Sequence, residues 1–175
     1  MNENEHLLDS ISNKQKIEML RKNWQSHDAR WQMAIVMNFG WEKGNKLNKE
    51  VSYDFGKVAM YRMMNALGIS KVNNMDEFLK IYHSIIKFLF PPPITVYELK
   101  QTSESSLIAY VKNCMTYNHV KKAGATKNFE CACFNLRAGF YDALGIDLEE
   151  KPIKRLMKGD DCCEIVFTIN NWNKK

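Results

Sequence analysis

The stretch "IIKFLFPPPITVYEL", residues 85–99, marks the point where one kind of secondary structure gives way to another. Its first part continues an apolar pattern with the spacing of an amphipathic helix. Three consecutive prolines then end that helix, because proline has no backbone N–H and disfavours helical backbone in the preceding residue. The residues after the prolines are β-branched and aromatic, which favours a strand. We therefore predict that residues 1–90 are mainly helical and that residues 94–175 contain the strands.

Local signals predict where the helices of the first half begin and end. Ser12 followed by Gln15 fits a capping box, in which two side chains satisfy the free N–H groups of a helix start. One apolar stripe follows as far as Gly40, and a second is stopped by Gly68. A third begins after Asn74, a residue type favoured at helix starts.

The second half contains two predicted β-hairpins. The segments "ITVYEL" and "SLIAYVKNC" flank a polar connection, and "KPIKRLM" and "CCEIVFTI" bracket a second one. Between the two hairpins we expect a short helix over residues 118–122 and a second helix over residues 128–145, "NFECACFNLRAGFYDALG". Helices followed by antiparallel pairs are typical of an α+β fold. The expected architecture is a single domain, residues 1–175, with an N-terminal helical layer packed on a small antiparallel sheet built from the two hairpins.

The composition is that of a globular protein. Of the 175 residues, 45% are hydrophobic and 11% aromatic, which excludes a disordered chain. The formal net charge of +5 is spread along the chain, so we expect no nucleic-acid partner. No apolar run is long enough to span a bilayer, and the first ten residues lack the pattern of a signal peptide. We therefore expect a cytoplasmic protein without a membrane partner.

The five cysteines leave several kinds of chemistry open. Their odd number speaks against a closed disulfide framework, so they are expected to be free thiols, metal ligands or redox centres. Cys131 and Cys133 would point about 200° apart if both lay within one helix, and could not then share a metal ion. Cys114, Cys131 and Cys163 could still converge, and buried structural thiols are the alternative. We expect Cys133 to lie apart from those three.

The last predicted strand orients two adjacent cysteines. Side chains alternate between the two faces of a strand, so Cys163 shares a face with Ile165 and Phe167. Cys162 then points to the other face. We expect Cys163 to be buried and Cys162 to be more exposed.

The segments "VKNCMTYNHVKKAGATKNFEC", "GFYDALGID" and "RLMKGDDCCEIVF" resemble the L-2-amino-thiazoline-4-carboxylic acid hydrolase-like proteins. Those proteins commonly place cysteines where Cys114, Cys131 and Cys163 stand. The N-terminal "WQMAIVMNFGWEKGNKLN" is similar to the opening helix of the same group. The last hairpin is also similar to the vinyl-reductase-type small-molecule-binding domain, in which Arg155 is often replaced by a further cysteine.

The resemblance implies a hydrolase-like enzyme that opens a cyclic amidine or thiazoline-type ring, either with water or through a thiol adduct. Such chemistry needs a nucleophile, a proton donor and an anchor for the substrate carboxylate. We assign Cys114 as nucleophile, His119 as acid and base, and Cys163 as a further catalytic residue. The residues expected to bind substrate are Trp31, Phe55, Tyr82, Tyr117, Lys121 and Arg155, with Lys121 or Arg155 as the carboxylate anchor.

Two other functions remain open at this point. The chain could be a non-catalytic domain that binds or senses a small ligand in the same pocket. It could instead be a zinc or iron–sulfur protein, with Cys114, Cys131 and Cys163 among the metal ligands. For the hydrolase and for the ligand-binding domain, the expected partner is a small molecule. A homodimer is also left open.

Overall fold

The computed structural model describes residues 7–173. The prediction that the first ten residues are not a signal peptide therefore falls mostly outside the described residues. A 3-10 turn at Leu7–Ser10 comes before the first helix. The helices are α1 (Asn13–Leu67), α2 (Met75–Leu89), α3 (Met115–Lys122) and α4 (Cys133–Leu144), and the strands are β1 (Thr95–Gln101), β2 (Ser106–Cys114), β3 (Asp147–Lys154) and β4 (Cys163–Asn171). No helix within residues 7–173 is long and apolar enough to cross a membrane.

Helix α1 begins where the sequence predicts, and it is interrupted at the residue where the first apolar stripe was expected to end. The Ser12 backbone N–H donates to Gln15 Oε1 at 2.9 Å, and the Gln15 N–H donates to Ser12 Oγ at 3.3 Å, which confirms the capping box. Gly40 interrupts α1 with φ 82° and ψ 169°, a conformation that glycine adopts without steric cost. The chain divides into two compact units, one up to Gly44 and the other from Asn45 onwards, where a single domain was expected.

Helix α2 supplies much of the core of the second unit. Its predicted start is confirmed, because Asn74 Oδ1 accepts a hydrogen bond from the Glu77 N–H at 3.0 Å. Phe78 packs against Tyr141 of α4, with ring centroids 6.3 Å apart, and Tyr82 meets Phe167 of β4 edge-on at 6.1 Å. These contacts hold α2 against both α4 and the sheet.

The four strands form one antiparallel sheet in the order β1-β2-β4-β3. Each predicted hairpin is present, β1 with β2 and β3 with β4, and the two hairpins join through β2 and β4. Leu107 lies opposite Phe167, and Ala109 opposite Ile165, and all four side chains are buried on the same face of the sheet. The predicted α+β architecture, helices packed on a small antiparallel sheet, is confirmed.

Within the second unit, α4 and the last part of α1 approach so closely that glycine is required on both helices. A Cβ built on Gly139 would lie 2.1 Å from the carbonyl oxygen of Tyr53, and one built on Gly56 would lie 2.0 Å from that of Leu136. Backbone atoms cannot move aside as the end of a flexible side chain can. This contact therefore fixes how α4 lies on α1.

Two helices have starts that differ from the predicted ones. Helix α3 was predicted from Asn118 but begins at Met115, immediately after β2. Helix α4 was predicted from Asn128 but begins at Cys133, because residues 125–129 form a turn in which the Asn128 and Phe129 N–H groups donate to the carbonyl of Ala125. Cys131 therefore lies before the helix, with consequences described below.

We expect Gly139→Ala to destabilise the protein by about 2 kcal/mol, because the added methyl would overlap backbone atoms of α1. Helix propensity alone predicts the opposite sign, a gain of about 1 kcal/mol for alanine over glycine inside a helix. Urea unfolding followed by circular dichroism distinguishes the two. The matched control is Ala138→Ser on the exposed side of α4, expected within about 0.5 kcal/mol of wild type. A Gly139→Ala variant as stable as wild type would contradict the close approach.

Candidate functional site

Four of the five cysteines gather at one end of the sheet. Cys114 ends β2 and Cys163 opens β4, the neighbouring strand, while Cys131 and Cys133 flank the start of α4. Burial, and to a lesser degree the negative charge on Cys133, raises the pKa of both the Cys114 and the Cys163 thiols. All four residues are half-buried. Cys133 thus joins the three residues that were expected to converge, Cys114, Cys131 and Cys163. We call these four residues the cysteine cluster.

The prediction that Cys133 lies apart from the others is wrong. Its Sγ is 3.0 Å from the Sγ of Cys131, which donates a hydrogen bond to it. The predicted divergence assumed that both residues lay within a helix. Ala132 is instead the N-cap of α4 and Cys133 its first residue, so the backbone of Cys131 is not helical and its side chain can turn toward its neighbour.

A buried asparagine holds the loop that carries Cys131. Asn45 is only 4% exposed, and its Nδ2 donates to the Asn128 carbonyl at 2.7 Å. Its Oδ1 accepts from the Glu130 N–H at 3.1 Å, and the Glu130 carboxylate forms an ion pair with Lys49. The Asn45 side chain on α1 therefore satisfies two backbone groups of this loop that would otherwise need partners in a helix or a strand. The loop leads directly into Cys131.

The two cysteines of the C-x-C pair have opposite shifts in pKa. The hydrogen bond from Cys131, and then the positive charge of Arg137, lower the pKa of Cys133 to about 6. The same hydrogen bond together with burial raises the pKa of Cys131 well above its usual value. We assign the charge to Cys133 because it opens a helix and has Arg137 one turn further along. Near neutral pH the pair is a thiolate hydrogen-bonded by a thiol.

Arg137 is fixed by a buried ion pair with Glu150 of β3. Its Nε and a terminal nitrogen each lie 2.6 Å from a carboxylate oxygen of Glu150, and the two side chains are 10% and 8% exposed. The Tyr141 hydroxyl donates a further hydrogen bond to the same carboxylate. The guanidinium also lies over the rings of Phe134 and Phe167, at 4.8 and 5.8 Å. Every face of this cation is therefore occupied by a favourable partner.

Of the adjacent cysteines of "GDDCCEIVF", Cys163 has the predicted orientation, whereas Cys162 lies in a bend before β4 and is not part of the strand. Cys163 lies on the same face of β4 as the buried Ile165 and Phe167. It is half-buried rather than buried, because it is the first residue of the strand and lies at the end of the sheet. Its Sγ accepts a hydrogen bond from the Leu156 N–H at 3.4 Å. Cys162 is also half-buried and has Asp161 among its charged neighbours.

Cys114 and His119 are not brought together as nucleophile and base. The His119 side chain is exposed on α3, and no hydrogen bond between it and Cys114 occurs within residues 7–173. Burial raises the pKa of the Cys114 thiol, which opposes thiolate formation. The roles assigned to these two residues remain predictions, and the geometry favours Cys133 as the reactive sulfur.

The two predicted carboxylate anchors have different surroundings. Arg155 is exposed, its guanidinium lies 4.9 Å from the ring of Phe134, and no carboxylate in the described part of the chain pairs with it. Phe134 directly follows Cys133 in α4, so Arg155 lies beside the cysteine cluster. Lys121 lies over the ring of Tyr117 on α3, at 5.5 Å. Of the two cations, Arg155 is the better placed for a ligand at Cys133.

The predicted aromatic lining is divided among different places. Trp31 belongs to the first unit and is 61% exposed. Phe55 is half-buried on α1. Tyr82 is buried in the core of the second unit, where burial, the largest cause, raises the pKa of its hydroxyl. The negative charge of Cys133 adds to that shift, so Tyr82 lies within electrostatic range of the cluster.

Sequence reasoning missed Cys133, Arg137 and Glu150 as members of the site. A signal for them was present: Cys133, Arg137 and Tyr141 recur at four-residue spacing and so share one face of α4. An arginine on the inward face of a helix needs a buried acid. Glu150 holds an inward position in the alternating pattern of β3.

The metal alternatives gain no support from the arrangement of side chains. Among residues 7–173, no three or more histidine, cysteine, aspartate or glutamate side chains are placed to hold a metal ion. Zinc or an iron–sulfur cluster on Cys114, Cys131 and Cys163 therefore stays a prediction.

A small depression of about 140 Å³ lies elsewhere in the second unit. Its lining comprises Tyr53, Ala138, Tyr141, Asp142, Ile146, Asp147 and Leu148, and so includes none of the cysteines. The Asp142 carboxylate accepts from the Tyr53 hydroxyl at 2.9 Å and pairs with Lys57 at 2.6 Å. Asp142, one of the two acids in this lining, is thus already paired within the protein.

Comparisons with known proteins identify the family and the fold. Residues 8–149 match the family model described as "Family of unknown function (DUF6125)". No curated protein matches the chain significantly. A similar solved structure is that of trafficking protein particle complex subunit 3 from Naegleria fowleri, covalently bound to palmitic acid. The likeness has 12% sequence identity and a TM-score of 0.56, and it covers 93% of this chain and 100% of that one. At this identity the likeness is one of fold alone.

We expect Glu150→Gln to destabilise the protein by about 3 kcal/mol, because it leaves the buried Arg137 without a counter-charge. Chemical unfolding measures the loss. The matched control is Glu149→Gln, the preceding residue, which is exposed on the other face of β3. Equal stabilities of the two variants would contradict a structural role for the ion pair.

The rate at which iodoacetamide alkylates Cys133 should depend only weakly on pH. With a pKa of about 6, its thiolate fraction should rise only about twofold between pH 6 and 8, whereas a thiol with a pKa near 9 gains about a hundredfold. Cys162, whose pKa is raised by burial, is the internal control in the same sample. Fragmentation mass spectrometry of residues 128–137 resolves Cys131 from Cys133. A hundredfold rise at Cys133 would show that its pKa is not lowered.

Proposed function

Because the chain belongs to the DUF6125 family, whose function is unknown, we propose a function from its own residues: covalent binding of a small, carboxylate-bearing electrophile by the Cys133 thiolate. The observation that supports the proposal is the Cys131–Cys133 contact of 3.0 Å beside the positive charge of Arg137. A thiolate near neutral pH is the nucleophilic form of cysteine, and a helix start with an adjacent cation is a typical setting for one.

The class of ligand follows from the groups around this sulfur. Arg137 is already paired with Glu150 and cannot also bind a ligand carboxylate in the same way. Arg155 is exposed and can offer its planar guanidinium to a carboxylate near Cys133. The carbon attacked would be electrophilic, such as the amidine carbon of a thiazoline carboxylate. The carbonyl carbon of an acyl thioester, which need not carry a carboxylate, is the alternative electrophile for the same sulfur. The trafficking subunit of similar fold, with its covalently bound palmitic acid, makes the acyl case worth testing.

Hydrolysis of a thiazoline-type substrate is the second candidate, and the protonated state of Cys131 favours it. Addition of Cys133 Sγ to the amidine carbon moves the C=N electron pair onto nitrogen. Cys131, whose pKa is raised, can give that nitrogen its proton, as a general acid must. Collapse of that adduct breaks the ring C–S bond and re-forms a C=N bond, so the ring sulfur leaves as a thiolate. Water then adds to the same carbon and expels the Cys133 thiolate, which leaves a ring-opened urea, and the released substrate thiolate takes up a proton from water. The nucleophile and acid roles thus pass from Cys114 and His119 to Cys133 and Cys131.

We expect purified protein to bind 2-aminothiazoline-4-carboxylate, and occupancy to fall at least about tenfold in Cys133→Ser, because that variant lacks the attacking thiolate. Native mass spectrometry measures occupancy, and palmitoyl-coenzyme A is the comparison probe for an acyl ligand. Cys162→Ser is the control and should behave as wild type. Proton NMR of the same mixture detects ring-opened product if the protein is a hydrolase.

The outcomes separate the candidates. Binding without product supports the ligand-binding function, and product that requires Cys131 supports the hydrolase. Labelling by the acyl thioester alone would assign an acyl ligand to the same sulfur. Binding that survives in Cys133→Ser, or no reaction with either probe, would contradict the proposal.

A further inference from the structure

The two sulfurs of the C-x-C pair are placed for a second kind of chemistry. They are 3.0 Å apart, both are free thiols, and both residues are half-buried. A disulfide needs its sulfurs at about 2.05 Å, so closing the bond requires a movement of about 1 Å. Cys131 lies in the segment before α4, where rotation of its side chain disturbs no helical hydrogen bond. The loop before it is meanwhile held by Asn45, which keeps the two thiols in register.

We infer that Cys131 and Cys133 form a dithiol that reduces small disulfides bearing carboxylates, with Cys133 as the attacking sulfur and Cys131 as the resolving one. This activity goes beyond the proposed ligand binding and does not depend on it. Thiol–disulfide exchange needs a thiolate that attacks, a second thiol within reach of the mixed disulfide, and access for the substrate. The hydrogen bond from Cys131 favours a thiolate on Cys133 and keeps the second thiol within 3.0 Å of it. Both residues are half-buried, which leaves part of the pair accessible to a substrate.

The reaction proceeds in two displacements. Cys133 thiolate attacks one sulfur of the substrate RS–SR, forming Cys133–S–SR and releasing RS⁻. Cys131 then loses its proton and attacks the Cys133 sulfur, which forms the Cys131–Cys133 disulfide and releases the second RS⁻. That proton is taken up by one of the two released thiolates. In total, one thiolate, one thiol and RS–SR become a protein disulfide, RS⁻ and RSH, so that the substrate is reduced by two electrons and the protein is oxidised by two.

The charges around the pair select the class of disulfide. Arg155 is exposed beside Phe134, the residue after Cys133. The Asp160 carboxylate accepts a hydrogen bond from the Arg155 backbone N–H at 2.6 Å, but no acid in the described part of the chain forms an ion pair with the guanidinium. A substrate with carboxylates near its disulfide, such as glutathione disulfide, can pair with this guanidinium. A neutral substrate such as bis(2-hydroxyethyl) disulfide cannot. Because both cysteines are half-buried, we expect a small disulfide to reach them more readily than a protein disulfide.

The experiment uses the full-length chain, reduced and freed of reductant, with glutathione disulfide added at pH 7. After acid quenching and alkylation, trypsin releases residues 128–137 as one peptide that contains both cysteines. In wild type we expect this peptide to lose about 2 Da and to take up no alkylating agent, as an internal disulfide requires. In Cys131→Ser the glutathione mixed disulfide at Cys133 should persist. In Cys133→Ser, reaction at this peptide should slow at least about tenfold.

Two further variants control for folding and for charge. Cys162→Ser should react as wild type does. Arg155→Gln should slow the reaction with glutathione disulfide about tenfold while leaving the reaction with bis(2-hydroxyethyl) disulfide unchanged, because only the first substrate carries carboxylates. Far-UV circular dichroism checks that each variant is folded, and the wild-type peptide result stands without any variant.

Several results would overturn the inference. These are a wild-type mixed disulfide that is never resolved, oxidation that joins other cysteines instead, and no reaction with either disulfide. An Arg155→Gln variant that reacts normally with both substrates would overturn the carboxylate selectivity. No reaction with either disulfide would also count against a reactive Cys133 thiolate, on which the ligand-binding proposal relies. A mixed disulfide at Cys133 that is never resolved would overturn the dithiol reaction alone and leave the ligand-binding proposal intact.

Discussion

The ion pair between Arg137 and Glu150 is the interaction on which the rest of the site depends. Removing both charges from water costs several kcal/mol per ion, so the pair is stable only if its geometry and its other contacts are favourable. Two nitrogens bind two carboxylate oxygens, Tyr141 adds a hydroxyl donor, and the guanidinium lies over aromatic rings. The contacts with Glu150 tie α4 to β3 and the contact with Phe167 ties it to β4, while the Phe134 ring lies on α4 itself. The start of α4, which carries Cys133, is thereby held at the end of the sheet where Cys114 and Cys163 lie.

A second constraint acts on α4 from the side of α1. Gly56 and Gly139 allow the two backbones to touch, and any side chain at either position would push the helices apart. Because Asn45 lies on the same stretch of α1, its hydrogen bonds to the loop before Cys131 are set in the same frame. The position of Cys133 beside Cys131 thus depends on two constraints on α4. One is the ion pair between Arg137 and Glu150, and the other is the glycine contact with α1.

Much of the fold was predictable because its signals are local. A capping box, an asparagine cap, the proline run and two hairpins are each encoded within a few residues, and each is confirmed. The start of α4 was not predictable in this way. The sequence before Cys133 has helical composition, but Asn45, far away along the chain, holds two of its backbone groups in an irregular loop. An error of a few residues in one helix start was enough to place Cys133 on the wrong side of the site.

Comparison of two cysteines at helix starts shows what decides their chemistry. Cys114 immediately precedes α3 and Cys133 opens α4, so both lie close to the partial positive charge of a helix N-terminus. The pKa of Cys114 is nevertheless raised by burial, although the Tyr117 and Thr116 N–H groups oppose that shift, whereas the pKa of Cys133 is lowered. The difference lies in the thiol donor and the fixed guanidinium beside Cys133. A helix start alone is therefore insufficient to hold a thiolate here. The trafficking subunit shares the fold at only 12% identity, and a shared fold does not imply a shared function. The function of this chain is therefore inferred from Cys131 and Arg137, the two groups that act on the Cys133 sulfur.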